Sequence, residues 1–329
     1  MRQICAVRLE SPCRDGAPVM VSIAICTYNN AGKVRTVLES LRGLICPPTL
    51  EYEVLVVDNN SSDETKAVVE RCQEVWGQRL RYVFEGTQGL SHARNRALKE
   101  AAGDIVSYVD DDVSVDPGWL SAVAAAFEQY AAAVVGGRSY LIYPSERPAW
   151  LPEEYEFLLS KLDYGDQAIV GVDKDLFGLN FSVRKELALG VGGFDTSLGR
   201  RGNSLASGEE SDLLKRIRAR GGLAVYEPGA VVGHVVSAER VTIRWFLKRL
   251  FAAGRDGVAI ARKEGGAVPS VSEAALHAIR CCGGLPKSMV RGDVSAKTLF
   301  RKGLAAAYAL GGLCARLRLT VRPGLEGVC

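Results

Sequence analysis

Three consecutive carboxylates, Asp110-Asp111-Asp112, follow directly on the apolar run Ile105-Val106-Ser107-Tyr108-Val109. At the end of a strand such a cluster repels itself and raises its own pKa values. A divalent cation with hard oxygen ligands, Mg2+ or Mn2+, relieves the repulsion and bridges to phosphate oxygens. In extended backbone, side chains two apart point the same way, so Asp110 and Asp112 are expected to address one site and Asp111 another. The alternative is a solvated acidic loop ahead of Asp116-Pro117. A second acidic cluster, Gly208-Glu209-Glu210-Ser211-Asp212, opens an amphipathic helix with Ser207 as the expected N-cap. Helical spacing puts Glu210 with Leu213, Leu214 and Ile217, and Glu209 with Asp212 and Arg216. Glu210 is therefore expected to face inward, where desolvation raises a carboxylate's pKa and suits it to accept a proton. The alternative is that both acids merely complement the helix dipole.

Alternating elements must position these groups. Residues 19–26 are an apolar, β-branched run; Val34, Val37, Leu38 and Leu41 recur at helical spacing; and 53–57 form another apolar run closed by Asp58. The pattern repeats with a helix carrying Ala67, Val68 and Cys72, a strand at 80–84, a helix at 93–101 and a strand at 105–109. This alternation demands an α/β fold with a mostly parallel sheet and helices on both faces, in which ligands bind beyond the carboxyl ends of the strands. Three polar clusters fall at such ends: Thr27-Tyr28-Asn29, Asp58-Asn59-Asn60-Ser61 and the aspartate triplet. The turn after the first strand has neither G-x-G-x-x-G nor G-x-x-x-x-G-K-[ST], which argues against a dinucleotide-binding or P-loop domain.

Five motifs in order carry a resemblance: VSIAICTYNN at 21–30, VVDNNSSD at 56–63, GLSHARNR at 89–96, YVDDD at 108–112 and GEESDLLKR at 208–216. Together, over roughly residues 19–260, they resemble the family 2 glycosyltransferases of the GT-A fold. The resemblance implies an inverting transfer of a sugar from a nucleotide-diphosphate sugar to an acceptor hydroxyl, with Mg2+ or Mn2+ as cofactor. By the same resemblance Thr27, Tyr28 and Asn29 form the first nucleotide-contacting turn. Asp58 and Asn59 meet base and ribose, although many members carry a second Asp where Asn59 stands. Arg94 and Asn95 start a helix beside the diphosphate, where a guanidinium and free N–H groups favour anions; a surface salt bridge is the alternative for Arg94. Asp112 becomes the direct metal ligand, Asp110 a contact to ribose or metal, and Asp111 a further cofactor contact. Glu210 becomes the catalytic base with Glu209 as runner-up, since the family usually has Asp where Glu210 stands. His234, within PGAVVGH at 228–234, matches a further metal or diphosphate contact, against the commoner reading of a structural hydrogen-bonder. Gly192-Gly193-Phe194-Asp195 resembles the acceptor-side turn, Asn180 is expected to line the same cleft, and Trp150 and Tyr155 either stack on sugars or form local core.

The charge of +3 hides an asymmetry: residues 240–329 hold 16 basic and 5 acidic side chains, the rest 25 and 33. This divides the chain into an N-terminal extension (1–18), a GT-A domain (19–240, with a nucleotide-sugar-binding half at 19–136 and an acceptor-binding half at 137–240) and a basic helical C-terminal extension (241–329). Helices are expected around 245–251, 274–280 and 296–318. The last is either an interfacial helix on an anionic membrane or a helix packed on the protein itself. The nine cysteines show no zinc spacing and no secretory leader is evident, so the expected site of action is the cytoplasm or the inner face of the cell membrane. Expected partners are the nucleotide-sugar donor and a saccharide or lipid-linked acceptor, in polysaccharide, glycolipid or other envelope glycoconjugate assembly; nucleic acid is not expected. Two other functions compete: a non-catalytic nucleotide-sugar or carbohydrate-binding protein, and a sugar nucleotidyltransferase. The latter predicts a Gly-rich basic loop after the first strand, which this chain lacks.

Overall fold

The computed structural model describes residues 19–202, 205–263, 265–268, 270–290 and 296–317; the expected extension at 1–18 lies outside them. The chain forms two compact units. One holds the described residues up to Ile142 together with Ser160–Gly202 and Gly208–Val235. The other holds Tyr143–Leu159, the described part of 203–207, and the chain from Val236 onward. The second unit thus takes up 143–159, the described part of 203–207 and 236–240, all of which lie inside the 137–240 half expected from sequence.

In the first unit β1 (Val19–Thr27), β2 (Leu50–Asp58), β3 (Leu80–Phe84) and β4 (Ile105–Asp110) pair in parallel in the order β3-β2-β1-β4. Most of β1, β2 and β4 is buried on both faces, which is why they read as apolar runs, whereas β3 is the edge strand with Phe84 exposed. Helices α1 (Ala31–Leu41), α2 (Thr65–Trp76) and α3 (Leu90–Glu100) make the crossovers. The buried face of α1 is Val34, Val37, Leu38 and Leu41, the set its spacing predicts. One core layer joins Val21, Ile23 and Ile25 of β1 to α1 and to α4 (Trp119–Gln129) through Trp119, Val123 and Phe127. The opposite layer joins Ala24 to Ala93, Ala97 and Leu98 of α3.

Beyond β4 the sheet is mixed rather than parallel. It continues through β5 (Val113–Val115), β6 (Val134–Ile142), β7 (Ile169–Val170), β8 (Asn180–Arg184) and β9 (Ala224–Val235) in the spatial order β4-β8-β6-β9-β5, with β7 also on β9. Strand β8 runs antiparallel to β4 and β6; β6 and β9 are parallel, with a register shift between Gly137 and Arg138. Any Cβ at Gly137 would overlap the Ala230 carbonyl, so only glycine allows this approach. Helices α5 (Lys185–Gly190) and α6 (Glu209–Ala219) complete the unit, with Leu213, Leu214 and Ile217 of α6 in the second core layer.

In the second unit, α7 (Ile243–Lys263), α8 (Val271–Val290) and α9 (Ala296–Arg316) occupy the three stretches expected to be helical. Glycines set the approach of α7 to α9: a Cβ at Gly254 would run into the Tyr308 carbonyl, and one at Gly311 into that of Phe251. Trp150, Tyr155, Phe246 and Phe300 form an edge-to-face cluster with centroids 5.1–5.7 Å apart, so Trp150 and Tyr155 are local core. No described helix is long and apolar enough to cross a membrane.

Candidate active site

Strand register brings the polar ends of β1, β2 and β4 to one edge, pairing Thr27 with Asp58 and Cys26 with Asp110. The chain then turns through Asp111 and Asp112 into β5, whose antiparallel pairing sets Val113 opposite His234. Residues 122 positions apart in the chain are thereby placed side by side: His234 Nε2 lies 3.5 Å from Asp112 Oδ1. Both side chains are nearly excluded from solvent, at 2% and 6% exposed.

The three aspartates take different partners. Asp110, 42% exposed, has Arg94 Nη2 at 3.7 Å. Asp111 Oδ2 accepts from Thr27 Oγ1 at 2.6 Å and from Asn30 Nδ2 at 3.0 Å. Burial first, and the Asp112 carboxylate second, push Asp111 up to about 7, against the donation from Thr27. Asp112 has Lys33 Nζ 3.6 Å from Oδ2 in addition to His234 near Oδ1.

Arg94 is not beside open solvent where a diphosphate would meet it, nor is it in a surface salt bridge. Its guanidinium, 4% exposed, donates from Nη1 to Glu209 Oε1 at 2.7 Å and stands 3.9 Å from Glu210 Oε2. The rings of Tyr108 and Phe194 lie 5.8 and 5.5 Å from it, and Gly178 leaves it room, since a Cβ there would overlap the guanidinium. One buried cation thus sits among Asp110, Glu209 and Glu210. A buried guanidinium is stable only with such compensation.

This arrangement corrects the inward face expected for α6. Glu209 is the buried acid, whereas Glu210 is 17% exposed and its Oε1 accepts from the Gly178 N–H at 3.4 Å. A helical wheel describes one helix; the cation across the gap decides which acid turns in. Burial, then the Glu210 carboxylate, push Glu209 up to about 8 while Arg94 pulls it down. Oε2 of each glutamate has no hydrogen-bond partner among the described residues. The helix starts after Gly208 in the left-handed region (φ 104°) rather than at a Ser207 cap, and the Ser207 hydroxyl instead accepts from Arg249.

Other expected contacts are spent on scaffolding. Asn59, read as a base contact, donates to the Thr87 carbonyl at 2.8 Å and accepts from Gly89 N–H at 2.7 Å, pinning the segment before α3. Asp58 accepts from Ser61 N–H at 2.9 Å and from the Tyr82 hydroxyl at 2.7 Å. Asn95 grips both backbone groups of Phe194 at 2.8 Å, and Gly193 (φ 70°) approaches it too closely for a Cβ. Asp195 accepts from Ser197 N–H and Oγ within the same acceptor-side turn. Asn180 does not line a cleft: it is 2% exposed, accepts from Trp119 Nε1 at 2.8 Å and donates to the Ala230 and Arg138 carbonyls, tying β8 to β9 and β6. Tyr28 is 38% exposed, and Asn29, in the left-handed region (φ 51°), accepts from Ser62 N–H at 2.7 Å.

The sequence profile of glycosyl transferase family 2 matches residues 22–189, just over half of the chain. The chain belongs to that family, and it is a glycosyltransferase. Similar relatives include the glucosyl-dolichyl phosphate glucuronosyltransferase of Haloferax volcanii, 26% identical over 71% of this chain and 75% of that protein. The succinoglycan biosynthesis protein ExoM of Rhizobium meliloti is 27% identical over 71% of this chain and 73% of its own length. In fold, the chain resembles the mannosyltransferase PcManGT of Pyrobaculum calidifontis, solved with GDP-Man and Mn2+, with a TM-score of 0.60 at 23% identity over 90% of this chain and 86% of that one. The fold is that of the GT-A glycosyltransferases.

Within this glycosyltransferase, the pair that could hold a divalent cation is Asp112 with His234. Among the described residues no group of three or more His, Cys, Asp or Glu could hold a metal ion by itself. Two protein donors suit Mg2+ or Mn2+, which usually take one or two carboxylates and complete their shell with substrate phosphates and water. Lys33, Tyr108 and Gly178 escaped sequence reading. Lys33 precedes the apolar position Val34 in α1 with no spacing of its own to mark it.

Proposed function

We propose that the chain is an inverting, metal-dependent glycosyltransferase that moves a sugar from a nucleotide-diphosphate sugar to an acceptor hydroxyl in envelope or lipid-linked glycan assembly. The observation that carries this reading is the pair of acidic clusters on either side of Arg94. Asp112 with His234 forms one end and the partly exposed Glu210 the other. The nucleotide-sugar half is 19–136, with Thr27, Tyr28 and Asp58 at its strand ends, and the acceptor half begins at 137. Glu210 is the base: its side chain is the less buried of the two acids, at 17% exposed, and Glu209, hydrogen-bonded to Arg94, fixes the helix start. The acceptor oxygen bonds to the anomeric carbon as its proton passes to Glu210, and the carbon–oxygen bond to the diphosphate breaks with the electron pair leaving on the diphosphate. Asp112 and His234 would hold a divalent cation, which would neutralise the charge that grows on that leaving group.

The names of the Haloferax and Rhizobium relatives support a lipid-linked or polysaccharide acceptor. Membrane attachment would come from the second unit, where Leu276 and Ile279 of α8 and Leu310 and Leu317 at and beyond α9 are exposed near Arg280 and Arg316 in sequence. Full-length protein should sediment with anionic vesicles at low salt and be released by high salt; no sedimentation at low salt sinks this attachment.

Thermal shift with UDP, GDP, CDP and TDP sugars, with and without Mn2+, tests the core proposal. A metal-dependent rise in Tm for one donor, abolished in Asp112→Ala, is expected by mass action. No shift for any donor overturns it.

A further inference from the structure

Among the described residues, the carboxylate of Asp112 has cationic claimants on both of its oxygens. His234 lies near Oδ1, and Lys33, in the first turn of α1, reaches to 3.6 Å from Oδ2. The aspartate is almost fully enclosed at 6% exposed, whereas the Lys33 side chain is 39% exposed. We infer that Lys33 is an internal counter-cation that holds Asp112 until a diphosphate arrives, so that metal and nucleotide enter the site as a coupled pair. This inference rests on the proposed metal position at Asp112 and His234.

A divalent ion and an ammonium on one buried carboxylate repel each other at such short range. Metal alone therefore competes with Lys33, and the displaced ammonium keeps only the neighbouring Asp111 and solvent. A bound diphosphate changes this. The flexible four-carbon stem and three rotatable donors of lysine let the ammonium turn from Asp112 to a phosphate oxygen. The swap leaves Asp112 to the metal, and each ligand then lowers the cost of binding the other.

Mn2+ binding followed by electron paramagnetic resonance tests this without any turnover. Full-length wild type and Lys33→Met are titrated with Mn2+ alone and then with UDP, GDP or pyrophosphate present. In wild type, the diphosphate compound should tighten Mn2+ by on the order of tenfold or more, a typical coupling between linked sites. In Lys33→Met, Mn2+ alone should bind tighter than in wild type by a similar factor, and the gain from the diphosphate should shrink to what direct metal–phosphate coordination supplies. Lys33→Arg, which keeps the charge, should behave as wild type. If Lys33→Met binds Mn2+ alone no more tightly than wild type while wild type binds it normally, the inference falls and the metal position stands. If neither protein binds Mn2+ with any diphosphate, or if Asp112→Asn binds it unchanged, the metal position fails and takes the inference with it.

Discussion

The aspartates at 110–112 and the glutamates at 209–210 are both acidic clusters beside one guanidinium, yet they are held in unlike ways. Asp111 is gripped by Thr27 and Asn30, and Asp112 by Lys33 and His234, so partners arrive from β1, the start of α1 and β9. The glutamates lean on Arg94, with a weak additional contact from Gly178 N–H. A cluster tied by many neutral and charged partners tolerates the loss of one. A pair that depends on a single buried cation does not.

The largest expected effect follows from removing that cation. Arg94→Met should cost about 3–5 kcal/mol of stability, because it strands buried acid groups, and chemical denaturation reads this directly. A loss under 1 kcal/mol would show that the glutamates have other support. Glu210→Gln should leave the melting temperature nearly unchanged while lowering kcat by about 10²–10⁴-fold, the usual worth of a general base. If Glu209→Gln gives the larger loss of kcat with folding intact, the two glutamates exchange roles.

On the aspartate side, Thr27→Val should cost about 1–3 kcal/mol, since it leaves a buried Asp111 oxygen with one donor fewer; Asn30 remains, so the low end is expected. The last expectation concerns pH dependence. Glu209 rises from 4.5 to about 8 on folding. The folded state therefore binds the extra proton between those values, and stability of the metal-free protein should fall as pH rises through that window. Glu209→Gln should flatten the fall, and an equally steep decline in the variant would assign it elsewhere.

Much of the aspartate side was legible before any coordinates. Parallel strands buried on both faces leave long apolar runs, and each run ends on the polar residue that faces the site, as Thr27, Asp58 and Asp110 do. The glutamate side was less so. Whether Glu209 or Glu210 turns inward depends on a cation 115 residues earlier in the chain, and no period within α6 encodes it. Asn180 misled for a related reason: its partners Trp119, Arg138 and Ala230 come from α4, β6 and β9, and a polar residue with its hydrogen bonds filled is as much core as a valine. Asn59 follows its expected strand, whereas Asn95 lies inside α3, which begins at Leu90 rather than at Ala93, and the amides of both are already bonded to backbone.

The pairing of β5 with β9 bears on how the protein comes to exist. Val113 meets His234 through a short strand of three residues, and a slip of one residue would turn the histidine to the opposite face of the sheet. Contacts so distant along the chain are slow to form because the intervening loop must close first. A nascent chain therefore carries the complete aspartate triplet long before its histidine is synthesised, and chains halted before residue 234 have only half of the candidate ligand pair. In this protein the candidate ligand pair is a late product of folding, completed when the last strand of the sheet finds its register.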